Sequence, residues 1–124
     1  MQELGPLQRE WVEALESGKY KQGDQYLCVG DRYCCLGVAC ELAGVEKTVI
    51  HGITRFDGWS TVLPNDVMRE YGFKGDTGPN GEYFKGDTGE EYRSLASMND
   101  NGMTFQEIAD AVRADPAEFF ERSV

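Results

Sequence analysis

The first pattern along the chain is helical. Between residues 4 and 17, Leu7, Trp11, Ala14 and Leu15 share one face while Glu10, Glu13 and Glu16 lie toward the other. Pro6 suits the first turn of such a helix and Gly18 its C-terminal stop. Residues 19–25, KYKQGDQ, read as a polar connection. The period then changes. Tyr26–Val29 and Arg32–Cys35 read as two arms of a hairpin, with Gly30-Asp31 as a two-residue loop of a favoured kind. That register sets Val29 against Arg32, Cys28 against Tyr33 and Leu27 against Cys34. Cys28 and Cys34 then project to opposite sides of the ribbon. Cys28 and Cys35 share a face only diagonally, at ~7–8 Å, which is too far for a disulfide without backbone movement.

From about Cys35 to Ala43 the spacing is helical again, and Gly44 ends it. Apolar residues fall on nearly every side, with Glu41 the lone charge, so this helix is expected to be buried. Thr48–Phe56 is β-rich, with a bulge or bend at Gly52 and a turn at Asp57-Gly58. Pro64 opens a short helix that presents Val67, Met68 and Tyr71 on one face and stops at Gly72. Thr104–Ala114 carries the clearest helix, with Thr104 and Glu107 as a capping box and Phe105, Ile108, Ala109 and Val112 as its apolar stripe. Asn99-Asp100-Asn101-Gly102 reads as the turn before it, and Pro116 starts a last helical turn carrying Phe119 and Phe120. Short helices interleaved with hairpins specify an α+β fold, one domain over residues 1–124, with helices packed on antiparallel hairpins and the cysteine-bearing helix at the core.

Residues 72–92 stand apart. KGDTG occurs twice, from Lys74 and from Lys85, and glycines at 72, 75, 78 and 81 keep a period of three. Four triplets are too few for a collagen helix. Asp76, Asn80, Gly81 and Asp87 occupy positions 1, 5, 6 and 12 of an EF-hand-like loop, but position 3 is Gly78 and position 12 lacks the bidentate Glu. A glycine-rich hairpin or mobile loop with Asn80-Gly81 at its tip is the expectation.

Composition narrows the function classes. A chain of 124 residues with 22 acids against 12 bases carries a formal charge of −10. That argues against direct nucleic-acid binding, which needs clustered Lys and Arg. It fits a surface kept in solution by charge, or one that engages a basic partner as a nucleic-acid mimic would. The N-terminal MQELGPLQREW lacks an apolar h-region, and no apolar run approaches the ~20 residues of a membrane span, so a cytoplasmic protein without membrane association is expected. In that setting Cys28, Cys34, Cys35 and Cys40 are expected as free, buried thiols.

The chemistry-bearing candidates are few. Cys34 and Cys35 stand where a strand meets a helix N-terminus, a position that lowers a thiol's pKa through unsatisfied N–H groups and the helix dipole. Cysteine peptidases of the NlpC/P60 type also place their nucleophile at a helix start. His51, the single histidine, would be the base and Asp57 could orient it. Zinc is disfavoured, because Cys-x5-Cys-Cys-x4-Cys is not a ribbon or finger spacing, and no metal or other cofactor is expected. P-loop, G-x-G-x-x-G, G-x-S-x-G and H-E-x-x-H motifs are absent. Arg55, Phe56, Asp57 and Trp59, gathered at a turn, could build a ligand or partner site, with Tyr33, Asn99 and Asp100 as further lining.

Four segments, WVEALESGKYKQG (Trp11–Gly23), YCCLGVACELAG (Tyr33–Gly44), LPNDVMREYG (Leu63–Gly72) and LASMNDNGMTFQEIADAV (Leu95–Val112), occur in an order that resembles a group of small bacteriophage and prophage proteins. Departures are modest: Ala39 stands for the group's usual Leu, Glu41 for Asp and Met98 for Leu. The resemblance implies a viral origin and no particular activity, so it transfers no catalytic or ligand residue. By association, it implies an accessory protein of the host cytoplasm, modulating a host process or antiviral defence by binding a host protein or sequestering a small signalling molecule. A thiol enzyme using Cys34 or Cys35 with His51 is the alternative, and a minor virion component a third. Assembly of several copies is left open.

Overall fold

The computed structural model describes residues 3–74, 95–100 and 102–124. The glycine-rich expectation for residues 72–92 therefore lies outside the described residues, apart from Gly72, Phe73 and Lys74. The chain runs α1 (Pro6–Glu16), β1 (Lys21–Gln22), β2 (Cys28–Val29), β3 (Arg32–Tyr33), α2 (Cys35–Ala43), β4 (Lys47–Ile50), β5 (Ile53–Phe56), α3 (Asn65–Tyr71), α4 (Leu95–Asp100), α5 (Phe105–Ala114) and α6 (Pro116–Phe119). The strands form one sheet in the order β1-β3-β2-β5-β4. The fold is α+β, with α2 buried at its centre.

The β2–β3 hairpin has the expected register, Cys28 against Tyr33 and Val29 against Arg32. Two features of the sheet differ from the sequence reading. Residues 19–25 are not only a connection, because Lys21 and Gln22 pair in parallel with Arg32 and Tyr33. Thr48–Phe56 is not one bent strand but a hairpin, with Ile50 against Ile53 and His51-Gly52 as its loop. Both loop residues have left-handed backbone, φ 53° and 81°. That geometry matches strand twist in two-residue turns, and Gly at the second position adopts it freely. β5 then pairs with β2 through Thr54 and Ile53.

Alternation along β5 shows which face is covered: Thr54 and Phe56 are buried and Arg55 is exposed. The covered face carries α2, whose residues Cys35 to Cys40 are all buried. The helix approaches the sheet closely because Gly37 lies on the Leu27 carbonyl, where a Cβ would overlap the oxygen. Around α2 the expected stripes close the core. Phe105, Ile108, Ala109 and Val112 of α5 are buried, and Thr104 and Glu107 form the capping box with bonds of 3.1 and 3.0 Å. Trp11 is fully buried, meets Phe73 and Phe120 edge to face at 5.2 and 6.0 Å, and donates its indole N–H to the Cys35 carbonyl at 2.8 Å.

Gln8 is the unexpected member of this core. It sits on the buried face of α1, fully enclosed. Its Nε2 donates to the carbonyls of Tyr71 (2.8 Å) and Arg122 (2.7 Å), and its Oε1 accepts from the Gly5 N–H (3.0 Å). One amide thus ties the start of α1 to the end of α3 and to the segment after α6. No helix among the described residues is long and apolar enough to cross a membrane.

The contact under α2 sets a direct test. Gly37→Ala is expected to destabilise the protein by at least ~2 kcal/mol, since the obstructing group is backbone and cannot rotate away. Urea denaturation monitored by Trp fluorescence reads this out, and an unchanged midpoint would contradict the packing described.

Candidate functional site

The start of α2 is where sequence placed the reactive thiol, so its construction decides the matter. Cys34 is the N-cap residue, and its sulfur accepts from the Gly37 N–H at 3.4 Å. The next orphan donor, the Cys35 N–H, bonds the Asn99 Oδ1 at 3.1 Å. Asn99 is buried, and its Nδ2 donates to the Gly23 carbonyl at 2.7 Å. Gln22 completes the cluster. Its Nε2 donates to Asn99 Oδ1 (3.1 Å) and to the Met103 carbonyl (2.6 Å), while its Oε1 accepts from the Phe105 N–H (3.0 Å). The Asp100 carboxylate accepts from the Gln25 N–H at 2.8 Å. Two side-chain amides therefore join the N-termini of α2 and α5 to α4 and β1. Asn99 and Asp100 lie in the last turn of a short helix, not in the turn expected from sequence.

This arrangement buries the thiols and disfavours their thiolate form. Cys34 and Cys35 are buried. Burial pushes Cys34 up to about 12, against the lowering effect of the Gly37 and Leu36 N–H groups. Burial also raises Cys35 well above the ordinary value, and the neighbouring Cys34 adds to it. The helix-start effect anticipated from sequence is present but smaller than desolvation. Cys40 shifts upward too, again chiefly through burial. Cys28, Cys34, Cys35 and Cys40 are all free. Among the described residues, no three His, Cys, Asp or Glu side chains converge to hold a metal ion.

His51 does not reach these cysteines. It is exposed at the β4–β5 turn, which lies beside the Gly30 turn through the bond from Gly30 N–H to Gly52 O, 3.2 Å. Cys34 follows the opposite end of β3. Two strand spacings, roughly 10 Å, separate β3 from β5 as well. The expectation that His51 follows on a neighbouring strand and serves as base is corrected by the tight turn.

The remaining candidates fall into two separate places. Tyr33 is half-buried on the covered face and meets Tyr20 edge to face at 5.3 Å, near the Asn99 cluster. Arg55, Phe56, Asp57 and Trp59 lie at the far side of the sheet. Phe56 is core, Asp57 and Gly58 form a left-handed turn, and Phe56 and Trp59 exchange backbone bonds of 2.8 and 2.9 Å. Trp59 is 42% exposed.

A hollow of about 280 Å³ is lined by Gln22, Asp24, Arg32 and Asn99, whose amides are already committed to protein partners. Another, about 550 Å³, lies by Arg9, Arg113 and Asp115, where the Arg113 guanidinium is held by both Glu16 oxygens at 2.7 and 3.0 Å.

Another candidate surface is the uncovered face of the sheet. Val29, Ile53 and Ile50 stand in one cross-strand row. Val29 and Ile50 are 40% and 43% exposed, and Val49, which projects to the other face of the edge strand beside Thr54, is 63% exposed. Sequence reasoning missed this strip because it could not place the His51-Gly52 turn that aligns it.

Three outcomes follow from the buried cluster. Asn99→Ala should cost about 2–4 kcal/mol, since it strands the Cys35 N–H and the Gly23 carbonyl in a dry interior. Iodoacetamide at neutral pH should leave Cys34 and Cys35 unmodified in the folded chain and label them in urea; fast native labelling would contradict the burial. Stability should fall as pH rises above the ordinary thiol value of 9.0 toward about 12, because the unfolded chain releases the Cys34 proton while the folded chain retains it. Chemical denaturation at pH 8 and pH 10 measures the difference.

Residues 5–116 match the model of a family described as a domain of unknown function, DUF8296. No curated protein and no solved structure matches the chain. The match spans most of the chain, including the α2 segment and the Gln22–Asn99 cluster, and the protein belongs to the DUF8296 family.

Proposed function

We propose that this chain is a non-enzymatic accessory protein, phage-encoded and active in the host cytoplasm, that works by binding a host protein. The observation that carries the reading is the uncovered sheet face, where Val29, Ile53 and Ile50 form an apolar row in a chain of formal charge −10. Exposed contiguous apolar surface on a small acidic domain is a mark of an interaction site. A thiol enzyme is supported less well, because its nucleophile must be accessible as thiolate, whereas burial holds Cys34 and Cys35 protonated. The phage origin rests on the order of the YCCLGVACELAG and LASMNDNGMTFQEIADAV segments.

The immobilised full chain should capture one host protein in near-stoichiometric amount from bacterial lysate. The double substitution Val29→Glu with Ile50→Glu should reduce that capture at least tenfold without lowering the melting temperature, since both side chains already face water. His51→Ala should leave capture unchanged. Absence of capture, or a turnover reaction abolished by His51→Ala, would contradict the reading.

A further inference from the structure

β4 is the outermost strand, and its ladder is half used. In a hairpin closed by two residues, the pair flanking the turn exchanges both backbone bonds. Ile50 and Thr48 therefore direct their backbone groups at β5, and the bond from Asp57 N–H to Glu46 O continues the same alternation at 2.8 Å. Lys47 and Val49 direct their N–H and C=O groups away from the sheet. Among the described residues no backbone bond reaches those groups. All four residues of β4 are exposed.

Natural edge strands are commonly blunted by a lysine. Here Lys47 is the only charge on β4, and it is drawn back to both carboxylate oxygens of Glu41 on α2, at 2.9 and 3.0 Å. The edge that remains is Thr48-Val49-Ile50, apolar and open. Its electrostatic setting opposes that of the whole molecule. The outward strand positions beside it are Arg55, Ile53, Val29 and Arg32, and neither arginine forms a salt bridge among the described residues. A chain of formal charge −10 thus places the Arg55 guanidinium, on the strand next to β4, beside its open edge.

We propose that the β4 edge takes an extended segment of a partner protein as an added strand, and that this segment alternates apolar with acidic residues. This rests on the reading of the chain as a binding protein and names the chemistry of its partner. Main-chain bonds to Lys47 and Val49 supply the register, the apolar side chains lie on the covered face beside Val49, and the carboxylates lie on the outward face beside Ile50, where they meet Arg55. A second copy of this chain is a poorer occupant, since its own β4, Lys47–Ile50, carries no carboxylate to meet Arg55.

The test titrates a capped octapeptide of alternating Val and Glu, and its Val–Lys counterpart, into the 15N-labelled full chain. The acidic peptide should slow exchange of the Lys47 and Val49 amides at least tenfold, and the basic one should not. Val49→Pro removes only an outward N–H, so the internal ladder survives and binding should fall at least tenfold. Arg55→Glu, a surface change, should weaken binding to the same extent and keeps the test valid should the proline variant misfold. Equal binding of both peptides, or protection elsewhere, would overturn the proposal. So would protection of the same amides that grows with protein concentration alone, because the occupant would then be a second copy. If lysate capture persists undiminished in Val49→Pro, the binding function stands and the edge proposal falls; if the wild type captures nothing, the broader reading falls on its own.

Discussion

The bond from the Cys35 N–H to Asn99 Oδ1 is the constraint from which the rest of this architecture follows. A helix that is apolar on nearly all sides can be enclosed completely, but enclosure also buries the unpaired N–H groups of its first turn. Water cannot reach them, so side chains must. Cys34 serves one through its sulfur and Asn99 serves another. Asn99 can do so only if α4 is docked against the start of α2. The remaining valences of its amide are met by Gln22 and Gly23, which fixes β1 beside β3. Gln22 in turn supplies the first N–H of α5. Gln8 performs the corresponding task at the other side of the core, joining α1, α3 and the segment following α6.

This solution shapes what the molecule can do. The same enclosure that satisfies the start of α2 desolvates Cys34 and Cys35, so the place that looks most catalytic in the sequence has its thiols raised above their ordinary pKa. With the helices gathered on one side, the other side of the sheet is left to solvent. Among the described residues, the outward groups of Lys47 and Val49 meet no backbone partner, and Val29 and Ile50 stay exposed.

The elements legible in sequence were those with strong local signals. The α5 stripe and capping box, the Gly30-Asp31 hairpin register and the all-round apolar character of α2 each depend on residues close together in the chain, and each stands as read. The parts that were not legible depend on long-range partners. Gln8 and Gln22 are indistinguishable in sequence from surface glutamines until the carbonyls they reach are in place, 63 and 81 residues away. A two-residue parallel strand such as β1 has no periodicity to detect. Asn99-Asp100 has turn-forming composition, and tertiary context made it the end of a helix. At Cys34 and Cys35 position was readable and burial was not, and burial decided their chemistry. His51 was misplaced because its left-handed φ of 53° is uncommon outside glycine, which let the hairpin pass as one bent strand.

The Asn99 cluster is expected to hold the start of α2 as tightly as the fold itself. Native-state hydrogen exchange at the Cys35 amide tests it most directly. This amide should exchange only through global unfolding, with an opening free energy equal to that from urea denaturation and the same denaturant dependence. Exchange through a low-energy local opening, independent of denaturant while the core helices stay protected, would contradict it.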